Sequence, residues 1–96
     1  MHRSGQIQEW EVYIVRAVNG ALYTGIARDA DRRFTDHAEG RGAKFFRVSA
    51  AREIVFRETH PSRGDAQRRE AEIKRMRRAE KLVLIGKRVG PRRRRA

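Results

Sequence analysis

Two short strands joined at Asn19-Gly20 restrict the fold of this chain more than any other feature. From Trp10 to Val18, and again from Ala21 to Ala27, the side chains alternate with period two and are rich in β-branched and aromatic types. Asn-Gly is the dipeptide preferred in two-residue type I′ turns, whose twist suits antiparallel strands. The sequence therefore predicts a β-hairpin with a two-residue turn.

A helix is predicted directly after this hairpin. Asp29 is a suitable N-cap, and Gly40 is a suitable residue to end a helix over residues 30–39. Within it, Ala30, Phe34 and Ala38 recur at helical spacing and are expected to form the apolar stripe. The segment that follows has no clear period, so we expect an ordered but mobile loop.

The second half of the chain predicts one more strand and two more helices, which makes the order β-β-α-β-α-α and the fold class α+β. The elements are a strand over residues 52–58 with Ile54 and Phe56 on one face, a basic helix from Ser62 or Gly64 to about Arg77, and a short helix over residues 79–85 that stops at Gly86.

The charge of the chain indicates a polyanionic partner. Its net charge is +12, and six of its 24 lysines and arginines lie in residues 87–96. We expect a flexible N-terminus over residues 1–8, a single domain over residues 9–86 and a disordered basic tail after it. The tail residues expected to contact nucleic acid are Arg92, Arg93, Arg94 and Arg95.

Composition also excludes some classes of protein. There is no cysteine, so disulfides and thiolate metal sites are ruled out, and a metal would need oxygen ligands. No apolar segment approaches the roughly 20 residues that span a bilayer, and the N-terminus lacks the apolar part of a signal peptide. A soluble, cytoplasmic protein that does not bind membranes is expected.

Five side chains form a candidate site for phosphodiester cleavage. Tyr13 or Tyr23 is a candidate to orient or deprotonate a water molecule, and Arg33 can bind phosphate oxygens with its planar guanidinium. Glu70, on the inward stripe of the basic helix, can hold Mg²⁺ or Mn²⁺ through one carboxylate. His37 lies one helical turn beyond Arg33 and is expected at the rim of this site.

Each of these residues also has a purely structural interpretation. The tyrosines can be cross-strand packing partners, and His37 can serve as the cation at a helix C-terminus. Glu70 can form an ion pair with a nearby arginine, and Glu72 becomes the alternative metal ligand if the helix is rotated.

Between the first helix and the third strand, Lys44-Phe45-Phe46-Arg47 combines cations with aromatic rings. Such a segment suits nucleic acid, because rings stack on bases while cations bind phosphates, and Lys44, Phe46 and Arg47 are the candidate contacts. Phe45 and Phe46 are equally compatible with the core, and one of the two is expected to be buried.

At these residues the chain resembles the GIY-YIG nuclease superfamily, in its small single-domain bacterial branch. The first motif corresponds to Val12-Tyr13-Ile14 and the second to Tyr23-Thr24-Gly25, where Thr24 replaces the usual isoleucine. The spacing from Tyr23 to Arg33 and His37, and the segment Arg69–Lys74 around Glu70, extend the resemblance over about residues 10–86. It implies a small three-stranded antiparallel sheet flanked by helices.

The resemblance also implies an activity, which is metal-dependent cleavage of DNA or RNA. One tyrosine would be the base, Arg33 the phosphate ligand and Glu70 the sole protein ligand of Mg²⁺ or Mn²⁺. We expect an endonuclease that selects the structure rather than the sequence of its substrate, as in DNA repair, with DNA expected in preference to RNA. The alternatives are a non-catalytic nucleic-acid-binding module on the same fold and a ribosome- or RNA-associated protein.

Overall fold

A computed structural model describes residues 9–94 as one sheet with helices on both sides. The predicted flexible segment 1–8 lies outside the described residues. The α+β class, the antiparallel sheet and the order of strands and helices are confirmed. Strands β1 (Trp10–Ala17), β2 (Leu22–Ala27) and β3 (Ala51–His60) pair in the order β2-β1-β3, and the helices are α1 (Ala30–Ala38), a 3₁₀ helix (Lys44–Arg47), α2 (Arg63–Lys74) and α3 (Arg78–Arg94).

The central strand β1 divides the interior into two apolar cores. Because β1 is covered on both faces, Val12, Tyr13, Ile14 and Val15 are all buried despite pointing alternately to opposite sides. The face of Val12 and Ile14, joined by Phe56 of β3, packs against Ala66 and Ile73 of α2 and Ile85 of α3. The face of Tyr13 and Val15, joined by Ala17 of β1 and Ala27 of β2, packs against Ala30 of α1 and Phe46 of the 3₁₀ helix.

The hairpin is present, but its turn has three residues rather than the predicted two. Arg16 pairs with Leu22, and the Ala17 N–H donates to the Ala21 carbonyl at 2.9 Å, which leaves residues 18–20 in the loop. Gly20 has a φ of 91°, as expected when a left-handed residue follows a type I turn. The Asn19 side chain accepts a hydrogen bond from the Ala21 N–H at 3.0 Å, which stabilises the three-residue turn.

A β-bulge at Val55 changes the faces of β3. Phe56 pairs with Ile14 and Ile54 pairs with Val15, so Val55 is the extra residue opposite that step of β1. Consequently Ile54 packs on the side of the sheet that carries Val15, while Phe56 packs on the opposite side with Ile14. The prediction that Ile54 and Phe56 share one face is therefore wrong.

Helix α1 begins where predicted but presents a different stripe to the sheet. The Asp29 side chain accepts the Arg32 N–H at 3.0 Å, and Glu11 of β1 accepts the Ala30 N–H at 3.0 Å. With this start, Ala30 and His37 are buried and Ala38 is exposed. The two buried residues of α1 are thus seven positions apart, which places them on the same face of the helix. The prediction that Ala38 faces inward is wrong.

Two further segments differ from their predictions. The expected mobile loop contains the 3₁₀ helix, which begins with the Phe46 N–H donating to the Ala43 carbonyl at 3.0 Å. Helix α3 continues through Gly86, where a stop was predicted, because one glycine weakens a helix by only about 1 kcal/mol. Much of the predicted tail, residues 87–94, is therefore helical. Within the described part of the chain, none of the helices is long and apolar enough to cross a membrane.

Candidate active site

The two tyrosines lie on the same face of the hairpin. Tyr13 pairs with Gly25 and Val15 pairs with Tyr23, so the two rings are diagonal neighbours with centroids 6.4 Å apart. A Cβ atom at Gly25 would lie 2.8 Å from the Tyr13 hydroxyl oxygen and 3.1 Å from the Tyr23 ring. The glycine of the Tyr23-Thr24-Gly25 motif is therefore required by the space that the tyrosine rings occupy.

His37 lies at the centre of this cluster and not at its rim as predicted. Its side chain is on α1, only 2% of the residue is exposed, and its Nε2 is 3.2 Å from the Tyr13 hydroxyl oxygen. The imidazole also contacts the rings of Tyr23 and Phe46, with centroid distances of 5.2 and 4.6 Å. The expectation of a rim position failed because α1 turns His37, rather than Ala38, toward the sheet.

The environment of His37 determines where its proton resides. Burial and the positive charge of Arg33 lower the pKa of His37, so the neutral imidazole is favoured. The Ala43 N–H donates to its Nδ1 at 3.2 Å, which leaves Nε2 to carry the hydrogen. Nε2 therefore donates to the Tyr13 oxygen, and the Tyr13 hydroxyl keeps its own hydrogen for another acceptor.

The two tyrosines differ in their surroundings. Tyr13 is 1% exposed, and burial together with the Tyr23 charge raises the pKa of Tyr13 to about 12. The charge of Arg33 and its nearby N–H donors act in the opposite direction. Tyr23 is half-buried and remains partly accessible to solvent. Tyr13 is accordingly a neutral hydroxyl near pH 7, whereas Tyr23 is the tyrosine that solvent can reach.

Arg33 lies next to this cluster with part of its guanidinium in solvent. Its side chain is 40% exposed, and its Nη1 is 3.3 Å from a carboxylate oxygen of Asp36. Its charge lowers the pKa of both Tyr13 and His37. Four of the five predicted side chains are therefore close neighbours, and Arg33 is the one that can meet an anion from outside.

Glu70 comes from the layer on the other side of the sheet. Helix α2 packs through Ala66 and Ile73 on the face opposite the tyrosines. The charge of Glu70 still raises the pKa of Tyr13, so the carboxylate lies within electrostatic range of that hydroxyl. Among the described residues its ion pair is with Lys74, whose Nζ is 3.2 Å from Oε2.

The exposure of the acidic residues on α2 separates the two candidate metal ligands. The Glu70 side chain is 21% exposed, whereas the alternative, Glu72, is 58% exposed and pairs with Arg69. Glu70 Oε1 has no hydrogen bond to a described residue, and a carboxylate oxygen suits Mg²⁺ or Mn²⁺. Within residues 9–94, no group of three or more His, Cys, Asp or Glu side chains could hold a metal ion.

The basic segment after α1 contributes exposed cations and one accessible ring. Lys44 and Arg47 are exposed, and neither forms an ion pair with any described residue. Phe46 is 9% exposed and packs on His37, so it is the member of the Phe45-Phe46 pair that is buried, as was expected of one of the two. The half-buried Phe45 is the accessible ring.

Of the predicted tail contacts, Arg92, Arg93 and Arg94 lie in the last turn of α3, and Arg95 lies outside the described residues.

Comparison with known families agrees with this geometry. The family model described as the GIY-YIG catalytic domain matches residues 9–82, which include all five candidate residues. The chain belongs to the GIY-YIG family. This family is one of nucleases, and membership implies a nucleic-acid substrate.

Relatives within the GIY-YIG family are small bacterial proteins. A UPF0213 protein of Pseudomonas aeruginosa is 53% identical over 78 residues, covering 80% of this chain and 75% of its own. One from Staphylococcus epidermidis is 42% identical over 74 residues, covering 77% and 90%. The solution NMR structure of a Bacillus halodurans UPF0213 protein has a TM-score of 0.57 at 37% identity, covering 86% of this chain and 88% of its own. These names state no activity.

Three contributors to the GIY-YIG site were missed by the sequence reasoning. A Cβ atom at Gly42 would lie 1.9 Å from His37 Nδ1, so only glycine lets the chain pass the imidazole. The Ala43 N–H sets the His37 tautomer, and the Phe45 ring contacts Tyr23 at 5.4 Å. The glycines at 40 and 42 were the available signal, because paired glycines often mark a close approach of backbone to a side chain.

Proposed function

We propose that this GIY-YIG domain is a metal-dependent endonuclease that hydrolyses nucleic-acid phosphodiester bonds. DNA is the expected substrate, and its structure rather than its sequence is the expected basis of selection. The observation that supports this most strongly is the contact of Tyr13 with neutral His37, beside Tyr23 and the partly exposed guanidinium of Arg33. A packing cluster alone would not require a buried imidazole whose tautomer is determined by a backbone N–H.

The two tyrosines have different roles in this proposal. Tyr23, the more accessible hydroxyl, orients the attacking water and takes its proton as the water oxygen bonds to phosphorus. The bond from phosphorus to the leaving strand breaks in the same displacement, and the leaving oxygen takes a proton from solvent. Tyr23 acts in this step as the phenolate, its own proton having passed to solvent. Tyr13 remains protonated and buried. His37 holds the Tyr13 oxygen in place, and the Tyr13 ring packs beside the ring of Tyr23 and positions it.

Arg33 and Glu70 supply the charges that a phosphodiester reaction needs. The Arg33 guanidinium binds phosphate oxygens, both before reaction and as charge develops on them. Glu70 would hold Mg²⁺ or Mn²⁺ through its Oε1, with water and substrate phosphate completing the coordination. When bound, such a cation polarises the phosphate and lowers the pKa of water.

Cleavage assays with matched variants test the proposal. The protein is incubated with branched, single-stranded and duplex DNA and RNA, with Mg²⁺, with Mn²⁺ and with neither. Glu70→Ala should abolish metal-dependent cleavage while binding holds or tightens slightly, because a negative charge has left a basic surface. The control Glu72→Ala, two residues along the same helix, should cleave normally. Arg33→Ala should lower both binding and cleavage.

A non-catalytic nucleic-acid-binding module is the second candidate. It is favoured by the ion pair between Glu70 Oε2 and Lys74, which already engages the proposed metal ligand. Binding without product on every substrate and with either metal would establish this second function and refute the first.

A further inference from the structure

A small cavity adjoins the proposed active site on the side of the hairpin turn. Its volume is about 220 Å³, below the roughly 300 to 1,000 Å³ of pockets for drug-sized ligands. The cavity therefore suits one small ring system rather than a larger ligand. Its lining residues are Asn19, Ala21, Phe45, Val48 and Ser49.

The cavity shares a wall with the tyrosine cluster. Phe45 lines it and also contacts the ring of Tyr23, with centroids 5.4 Å apart. Phe46 lies behind Phe45 at 5.0 Å and fixes the orientation of that ring from the core side. A group that occupied the cavity would therefore lie next to the tyrosine that we place beside the attacking water.

The lining combines apolar walls with hydrogen-bond donors. Ala21, Phe45 and Val48 are apolar, and Val48 is 86% exposed although it is a large aliphatic residue. The Asn19 Oδ1 accepts the Ala21 N–H, and Ser49 Oγ accepts the Asn19 N–H. Among the described residues, no hydrogen bond donated by the Asn19 amide group or by the Ser49 hydroxyl is found, so both can donate to a ligand. A planar ring with apolar faces and a hydrogen-bond-accepting edge is complementary to such a cavity.

The charges beside the cavity favour a polyanion as the source of that ring. Lys44 directly precedes Phe45, Arg47 directly precedes Val48, and both cations are exposed. Neither forms an ion pair within residues 9–94, so both are available to phosphates.

We propose that the cavity between the hairpin turn and the 3₁₀ helix binds one unpaired nucleobase of the strand that lies across the active site. The base stacks on Phe45, and its polar edge accepts hydrogen bonds from Asn19 and Ser49. Lys44 and Arg47 bind the adjoining phosphates. This inference rests on the proposed function for its substrate class. It adds that the substrate has an unstacked base near the reacting phosphate, because a paired base is not free to enter.

Binding of abasic oligonucleotides tests the proposal without requiring cleavage. The full chain carrying Glu70→Ala is titrated with a series of branched DNAs, in which the junction fixes the register of binding, each lacking one base at a different unpaired position beside the junction, and Kd is measured by fluorescence anisotropy. Loss of a stacked base weakens binding by about 5-fold or more. We expect that penalty at one position of the series, with changes of less than about 2-fold elsewhere.

Filling the cavity should remove the penalty. Ala21→Leu places extra methyl groups in the cavity, whereas Ala50→Leu adds the same groups at an exposed position that does not line it. The position-specific penalty should disappear in Ala21→Leu and persist in Ala50→Leu. If Ala21→Leu does not fold, Val48→Asn replaces an apolar wall at a largely exposed position and should reduce the penalty.

The outcomes separate this inference from the proposed function. A uniform response along the series, or a penalty that survives both cavity variants, overturns the base site whether or not the protein cleaves. A penalty that Ala21→Leu abolishes supports the base site even if no substrate is cut. If the cavity instead holds a side chain from a second copy, the abasic series would already be flat in the Glu70→Ala protein, and adding Ala21→Leu would change its sedimentation coefficient, which also overturns the inference.

Discussion

Replacement of His37 by asparagine separates the two hydrogen bonds that hold the imidazole. The Asn Oδ1 can occupy the position of Nδ1 and continue to accept the Ala43 N–H. Asparagine cannot reach the Tyr13 oxygen, which lies 3.2 Å from His37 Nε2. The substitution therefore removes one bond and keeps the other.

The expected loss of stability follows from burial. His37 and Tyr13 are 2% and 1% exposed, so water does not replace the lost donor at the Tyr13 oxygen. Leaving one buried polar atom unsatisfied costs about 1–3 kcal/mol, and the smaller side chain loses some packing as well. We therefore expect His37→Asn to lower the free energy of unfolding by about 2–3 kcal/mol. In a Tyr13→Phe background, where the oxygen is absent, the loss should be smaller by about 1–2 kcal/mol.

Urea unfolding of the wild type, the two single variants and the double variant measures this coupling. Coupling below about 0.5 kcal/mol would refute the hydrogen bond between His37 and Tyr13. Ala38→Asn is the control, because Ala38 is the neighbouring exposed residue and the same substitution there should show no coupling to Tyr13.

The same variant has a second consequence for the dependence of stability on pH. The pKa of His37 is lower in the folded state than its unfolded value of about 6.5, so the unfolded chain binds more protons in that range. The contribution of His37 is therefore complete above about pH 6.5 and is lost as the pH falls through the folded-state pKa. Stability should decline with acidification in the wild type, and His37→Asn should flatten this decline. An unchanged profile would show that His37 is not the titrating group.

Three further predictions concern other parts of the molecule. In Tyr23→Phe, absorbance titration follows Tyr13 alone, which should ionise well above pH 10, slightly below its value of about 12 in the wild type because the Tyr23 charge is gone. Ionisation near pH 10 would contradict its burial. Thr24 is 3% exposed and its Oγ1 has no described hydrogen-bond partner, so Thr24→Val should raise stability by about 1 kcal/mol, or roughly 4–8 °C in melting temperature. A lower melting temperature would reveal an unrecognised partner. Deletion of residues 87–96 removes six positive charges, so the slope of log K against log salt for duplex DNA should become shallower by up to about 5; an unchanged slope would exclude this segment from the binding surface.

The sequence predicted the residues of the candidate site better than their arrangement. Tyr13 and Tyr23 were placed correctly on one face because strand alternation is a local property of the backbone. His37 was misplaced because a shift of one residue in the inward stripe of a short helix exchanges it with Ala38. Glu70 was expected on an inward face and its side chain is 21% exposed, yet its helix packs on the face of the sheet opposite the tyrosines.

By itself, the sequence determined the features that depend on neighbours in the chain. These are the hairpin, the Asp29 cap, the order of the elements and the strong positive charge, since each arises from residue types a few positions apart. Only the tertiary structure decided the bulge at Val55, the three-residue turn and the burial of His37 between Tyr13 and the Ala43 N–H. Those features depend on how much space and how many hydrogen-bond partners distant segments provide, and no local pattern records either quantity.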